Sequence, residues 1–295
     1  MTAVETFYLT YQSADFPVPD PNVMAVGFFD GVHKGHQKVI ETAVSEAERT
    51  GVSSSVMTFD PHPSVVLGKG RPHVSYITPV QEKERILSGM GVDYLFVVTF
   101  DKELAALSPQ DFVEHFFVSL RVTHVVAGFD FTFGHKGKGT MKDLPHYAKG
   151  RFTQTTVAKV EKDTEKVSST RIRKLLETGN ITAVNHLLGR PFSVEGEVDG
   201  PDSSRKIRFF PSDEYLFPPA GVYYSKIFIQ GKPLSAAVTI SERGSGREHH
   251  VCWTAAFLGE LPIEPKAAAC IQFLSRAEGP DEDGEEDIQR FFGLE

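Results

Sequence analysis

The sequence predicts an α/β protein with an open parallel sheet in residues 1–187 and a small β-rich domain in residues 188–295. Three observations carry this. From Val23 to Val160, short apolar runs alternate with helical patterns, the signature of βαβ units. The glycine-rich and polar segments fall just after the apolar runs, at the strand ends where open α/β sheets bind ligands. Beyond Pro191 the alternation stops, and short apolar stretches are separated by Gly, Pro and charged residues.

The elements follow in order. Val23–Phe29 is an apolar run that ends in glycines. A helix follows, with Val39, Ile40, Ala43, Val44 and Ala47 on one face and Gly51 as its stop. Ser55–Phe59 is the second strand, cut off by Pro61. Thr78-Pro79-Val80-Gln81 reads as a helix start, with Thr at the N-cap and Pro in the first turn, and Gly89 and Gly91 close that helix. Tyr94–Phe100 is the third strand, and Ser108-Pro109 opens a helix carrying Phe112, Phe116 and Phe117. His124–Phe131 and Thr155–Val160 complete the sheet. Two short helices follow: one from Ser169 to about Thr178 with Ile172, Leu175 and Leu176 apolar, the other ending at Gly189. In the second domain, Val222–Ile229, Ala236–Ile240, His250–Trp253 and Ala268–Leu274 read as strands. Six of the seven residues from Asp281 to Asp287 are acidic, which predicts a solvated surface segment.

Composition excludes several classes. A formal net charge of −8 argues against nonspecific binding to nucleic acid or an anionic membrane, although a local cradle can still hold phosphate. Cys252 and Cys270 are the only cysteines, too few for a disulfide framework or a Cys/His metal site, so a reduced cytoplasmic location is expected. Residues 1–21 lack a signal-peptide pattern, and no apolar run reaches the roughly 18 residues of a membrane span.

The chemistry centres on Val26-Gly27-Phe28-Phe29-Asp30-Gly31-Val32-His33-Lys34-Gly35-His36. A phosphate chain needs backbone N–H groups at close range, which glycine permits, and it gains from a helix N-terminus. Gly27, Gly31 and Gly35 supply the first, and the helix that opens at residues 35–37 supplies the second. His33 and His36, three residues apart at that opening, can both face one phosphate and stabilise charge as it develops during transfer. These residues predict nucleotidyl transfer from ATP. A second constellation is Lys166-Val167-Ser168-Ser169-Thr170-Arg171-Ile172-Arg173, where hydroxyls cap a helix whose first turn carries two arginines. Hydroxyls are ordinary there, but cations are unfavourable unless an anion is near, so the segment predicts a further grip on phosphate.

The resemblance now becomes specific. The first segment, together with Thr58-Phe59-Asp60-Pro61-His62-Pro63, Gly128-Phe129-Asp130-Phe131-Thr132-Phe133-Gly134 and Ser168–Arg173, resembles the prokaryotic FAD synthetases, the flavokinase/FMN adenylyltransferase family. The histidine pair alone would also fit cytidylyltransferases and other adenylyltransferases. The resemblance implies a nucleotidyltransferase Rossmann-like first domain that converts FMN and ATP to FAD and pyrophosphate with Mg²⁺. It implies catalytic roles for His33, His36, Asp130, Ser169 and Arg173. It assigns ATP to Gly27, Phe28, Phe29, Asp30, His33, Gly35, His36, Gly128, Asp130, Ser168, Ser169, Thr170 and Arg173. It assigns FMN to Asp60, Pro61, His62, Pro63, Asp130 and Phe133. No metal ligand is assigned, and the only partners expected are the small-molecule substrates, with no nucleic acid and no membrane.

In that family the C-terminal half is a small β-barrel riboflavin kinase. Leu188–Phe192 and Pro219–Tyr223 resemble parts of it. The kinase hallmark, a Gly-Arg…Gly-Phe-Pro-Thr-Ala-Asn loop, is replaced by Ser204-Arg205-Lys206-Ile207-Arg208-Phe209-Phe210-Pro211-Ser212-Asp213-Glu214. Its Thr corresponds to Ser212 and its Asn to Glu214, while Glu248 is the candidate for the kinase general base. The departures predict a barrel that has lost, or nearly lost, riboflavin phosphorylation. The alternatives are a bifunctional enzyme and a flavin-binding regulatory protein.

Overall fold

The computed structural model describes residues 3–12, 19–68, 74–158, 161–162, 165–200, 206–243, 250–258, 264, 266–279 and 284–293. The chain divides into two compact units, Met1–Ser168 and Ser169–Glu295.

The first unit is built on six parallel strands: β1 (Glu5–Leu9), β2 (Asn22–Val26), β3 (Ser53–Asp60), β4 (Tyr94–Thr99), β5 (Val122–Gly128) and, after the two-residue pair β6 (Thr132–Phe133) and β7 (Gly139–Thr140), β8 (Thr153–Val157). Their order is β1-β4-β3-β2-β5-β8. The strands of the sheet match the sequence reading, except that β1 has no counterpart in it. β2 is buried on both faces, as expected of a central parallel strand. Val23 and Ala25 face the side covered by α1 (Lys34–Thr50), and Met24 and Val26 face the opposite side with Met57, Phe96 and Phe116. α1 buries Val39, Ile40, Ala43 and Ala47, and Gly51 ends it in a left-handed cap.

Shorter helices complete the unit: α2 (Pro63–Leu67), α3 (Val80–Gly89), α4 (Lys102–Ala106), α5 (Pro109–Phe112) and α6 (Leu144–Ala148). Ser108 caps α5, as its sequence predicts, and a π-helical stretch, Val113–Val118, continues it. α3 starts one residue later than the sequence suggests. Pro79 holds the N-cap position, and the N–H of Thr78 donates to Asp30. A small hairpin, β9 (Glu161–Lys162) with β10 (Glu165–Lys166), follows the sheet.

The second unit opens with α7 (Ser169–Glu177) and α8 (Ile181–Leu188). Six antiparallel strands then close a barrel in the order β11-β12-β15-β14-β13-β16. They are β11 (Phe192–Asp199), β12 (Ile207–Pro211), β13 (Gly221–Ile229), β14 (Lys232–Arg243), β15 (His250–Phe257) and β16 (Ala267–Arg276). Rings fill its interior: Trp253 lies 5.6 Å from Phe209, 5.3 Å from Phe217 and 5.7 Å from Phe273. The sequence places the domain boundary at 187/188, whereas the compact units divide at 168/169. The reason is local. α8 packs on β11 and β16, and the Asn185 amide donates to the Phe273 carbonyl at 2.8 Å while its oxygen accepts from the Phe192 N–H at 2.7 Å.

The described part of the acidic run is solvated, as expected, with Glu285 and Glu286 exposed, and it also belongs to a helix. Residues 281–283 lie outside the described residues, but Glu285, Glu286 and Asp287 form the first turn of α9 (Glu285–Phe292). Carboxylates suit a helix N-terminus, and the helix is anchored by buried Ile288 and by Phe291, which stacks on Tyr224 at 4.2 Å.

Candidate active site

β2 and β5 are neighbours, yet the chain leaves β2 towards β3 and returns to β5 only after β4. The loops that follow β2 and β5 therefore part company at this point, and open α/β sheets bind ligands in the crevice so formed. Val26 pairs with Ala127, which sets Gly27 and Gly128 side by side at the edge.

The loop after β2 runs through unusual backbone. Phe29, Gly31 and Val32 all have positive φ, at 52°, 91° and 38°. For a β-branched residue this is a genuine outlier, and such strain collects where a site needs a fixed shape. The loop closes on itself through the Val32 N–H to the Phe29 carbonyl at 3.2 Å and then enters α1. His33 is the N-cap of α1, and its Nδ1 accepts from the His36 N–H at 3.2 Å. In the neutral ring that leaves the proton on Nε2. The His33 and His36 rings stack, with centroids 3.6 Å apart, and Phe29 meets His36 edge-on at 5.3 Å. Gly35 suits this packing, because a Cβ there would stand 3.1 Å from the His33 ring, a tight contact. The two histidines singled out in the sequence are thus brought together at a helix N-terminus.

Asp30 is 3 % exposed, and its Oδ1 accepts from the N–H groups of Ile77 and Thr78 at 2.9 and 3.1 Å. This carboxylate ties the loop to the start of α3. The Asp60–Pro63 segment comes to the same edge. His62 caps α2, its ring meets Phe28 edge-on at 4.4 Å, and its N–H donates to the Tyr76 hydroxyl at 3.0 Å. Tyr76 in turn donates to Asp60 Oδ1 at 3.0 Å, and burial pushes its phenol up to about 12. Gly128 ends β5, and Phe129 and Asp130, both exposed, form the turn after it. Phe133 is placed differently. It is 4 % exposed and lies in the core, 5.6 Å from Phe112 and 5.9 Å from Tyr147, so its ring packs rather than lining the edge. Ser168 ends the first unit, and Ser169, Thr170 and Arg173 open α7 in the second, where Ile172 and Leu176 anchor the helix.

One residue escaped the sequence reading. Lys83, on α3, is 3 % exposed and donates from Nζ to the Phe28 carbonyl at 3.1 Å and to Thr58 Oγ1 at 2.9 Å. Burial lowers its ammonium to about 8, with the negative charges of Asp30 and Asp60 opposing the shift. The available signal is its spacing: Lys83 stands four residues before Leu87, on the buried stripe of α3. A stability prediction follows. The free side chain titrates at 10.5, so between about pH 8 and 10.5 the unfolded chain holds a proton that the folded one has lost. Folding stability gains from Lys83 as pH rises through that window, on the order of 3 kcal/mol in all. Urea unfolding at pH 7.5 and 10 should show the wild type gaining stability relative to Lys83→Met at the higher pH. A constant difference would refute a buried, depressed Lys83.

The comparisons with known proteins agree with this architecture. The family model described as FAD synthetase matches residues 16–171. The bifunctional riboflavin kinase/FMN adenylyltransferase of Listeria monocytogenes is 43 % identical over 78 % of this chain and 75 % of its own. That of Bacillus subtilis is 41 % identical over 74 % and 71 %. The FAD synthetase of Listeria monocytogenes is 32 % identical over 68 % and 79 %. The crystal structure of a macrolide-efflux protein from Streptococcus pneumoniae superposes with a TM-score of 0.85 at 25 % identity, covering 99 % of this chain and 97 % of that one. Among the described residues no helix is long and apolar enough to cross a membrane. Fold and matches define a nucleotide-handling transferase. The chain belongs to the FAD synthetase family, whose substrates are ATP and FMN.

Proposed function

We propose that the first unit is an FMN adenylyltransferase: an oxygen of the FMN phosphate attacks the α-phosphorus of ATP, pyrophosphate leaves, and FAD forms. The observation that carries this reading is the stacked His33–His36 pair at the N-terminus of α1, at the switch point of the sheet. His33 and His36 donate to the oxygens on which charge builds in the transition state, and the helix dipole adds to the same field. The Phe29–Val32 turn and Gly27 let the polyphosphate approach the backbone. The Asp60–Pro63 segment lies against Phe28 and serves the flavin side. The roles of Ser168, Ser169, Thr170 and Arg173 toward ATP rest on the family resemblance.

Among the described residues no three His, Cys, Asp or Glu side chains gather as a metal cage. The Mg²⁺ that the family resemblance implies would be held largely by the ATP phosphates. When bound, the ion would neutralise the β and γ oxygens.

Loss of kinase activity is the second part of the proposal. Of the segment that replaces the kinase loop, residues 204–205 lie outside the described residues, and Ile207–Pro211 is strand β12, paired to both β11 and β15. Arg208 points outward and pairs with Asp199 at 3.2 Å, and the Ser212 N–H donates to the Glu195 carbonyl at 3.0 Å. These groups are engaged in the barrel itself. Glu248, the candidate base, lies outside the described residues. The opposing reading is bifunctional synthesis of FMN and then FAD, and the names of the Listeria and Bacillus relatives favour it. Chromatography of products separates the two. FMN with MgATP should yield FAD and pyrophosphate, and riboflavin with MgATP should yield no FMN. FMN appearing from riboflavin establishes the bifunctional enzyme, and flavin binding with no FAD from either substrate overturns adenylyl transfer.

A further inference from the structure

The Phe28 carbonyl is held from below by two donors. Thr58 Oγ1 donates to it at 2.8 Å and Lys83 Nζ at 3.1 Å, and Lys83 also donates to Thr58 Oγ1 at 2.9 Å. The triangle joins the loop after β2, strand β3 and helix α3, and its cation sits 5.3 Å from the Phe28 ring centroid. In a trans peptide the C=O and the following N–H point in opposite directions. The Phe28–Phe29 peptide is trans, so pulling the Phe28 oxygen toward Lys83 turns the Phe29 N–H the other way, out of the floor of the loop. Among the described residues that N–H has no protein acceptor, although Phe29 is buried. A backbone donor without a protein acceptor is open to a ligand that accepts from it.

We propose that Lys83 is a positioning residue of the phosphate cradle: together with Thr58 it locks the Phe28–Phe29 peptide so that the Phe29 N–H donates to the polyphosphate of the nucleotide. The proposal rests on the adenylyl-transfer reading above and adds to it a residue that touches neither substrate. A Lys is suited to the task because its stem fills the space beneath the loop while its ammonium reaches two acceptors. The depressed ammonium does not disturb this, because the neutral amine still donates to the same carbonyl.

The test uses the full chain and three variants: Lys83→Met, Thr58→Val and the pair. Wild-type FAD formation is measured first, and a wild type that forms no FAD removes the reading and the inference together. With an active wild type, Lys83→Met should lose roughly 10²-fold in kcat, the scale of an ångström-sized misplacement of a catalytic group, while KM for FMN stays put. Thr58→Val should lose about fivefold, equivalent to one ordinary hydrogen bond. The double variant should lose less than the product of the two, because both act through one carbonyl. A merely structural Lys83 would lower the unfolding midpoint and leave kcat of the folded enzyme near wild type, with multiplicative effects, and that result overturns the proposal. Should Lys83→Met fail to fold, Thr58→Val decides alone: unchanged kcat refutes the lock.

Discussion

Replacing His33 with Asn or His36 with Ala is expected to slow FAD formation by roughly 10²–10³-fold, the loss typical of removing one transition-state donor. The choice of Asn at His33 matters. The His33 ring caps α1 through Nδ1, and an alanine there would cost about 1 kcal/mol of stability alongside any effect on chemistry. Asn keeps a capping oxygen and removes the imidazole, so a fall in kcat reports the ring itself. His36 has no capping duty, but its ring is stacked on His33, so its removal also loosens His33. The two effects should therefore be less than multiplicative in the double variant. Steady-state rates with saturating FMN and MgATP, beside a thermal melt of each variant, make the measurement. Turnover at the wild-type level in both single variants would remove the histidines from the mechanism.

Phe133→Ala should cost 3–5 kcal/mol of stability, the usual range for emptying a buried phenylalanine site. The ring is surrounded by Phe112, Phe131 and Tyr147, and Gly139 on β7 makes room for it: a Cβ at Gly139 would stand 2.6 Å from the ring. The expected fall in the melting temperature of the first unit is roughly 10 °C. KM for FMN should change little in the folded variant. A large rise in KM with an unchanged melt would return Phe133 to the flavin-binding role that the family resemblance gives it.

The parts of the fold and site that could be read from the sequence are those encoded locally. α1 announces itself through the apolar face of Val39, Ile40, Ala43 and Ala47 and the stop at Gly51, and the His33–His36 spacing sits at its mouth. Ser108 capping α5 is equally local. What escaped is held by distant partners. Lys83 gains its meaning from Phe28 and Thr58, which lie 55 and 25 residues away, and nothing near it in sequence names them. α3 starts at Val80, and the Thr78 N–H just before it is held by the carboxylate of Asp30, 48 residues earlier. Phe133 belongs to a motif yet packs in the core, on the short β6–β7 pair. The acidic run conceals α9 because Ile288 and Phe291 lie beyond it, against a barrel built from other parts of the chain.

β1 carries a consequence of another kind. It is an outer strand of the parallel sheet, and its partner is β4, with Glu5 opposite Tyr94 and Leu9 opposite Val98. On the ribosome β1 emerges well before the strand it must meet, and β2, β3 and α1 are all made in the interval. The β1–β4 pairing therefore has to close across a long loop. Until it does, β4 presents an unpaired edge bearing Leu95, Phe96, Val97 and Val98, the kind of template on which chains stick to one another. Trimming residues 5–9 to tidy an expression clone would make that transient edge permanent, and the damage would appear as poor solubility rather than as altered catalysis.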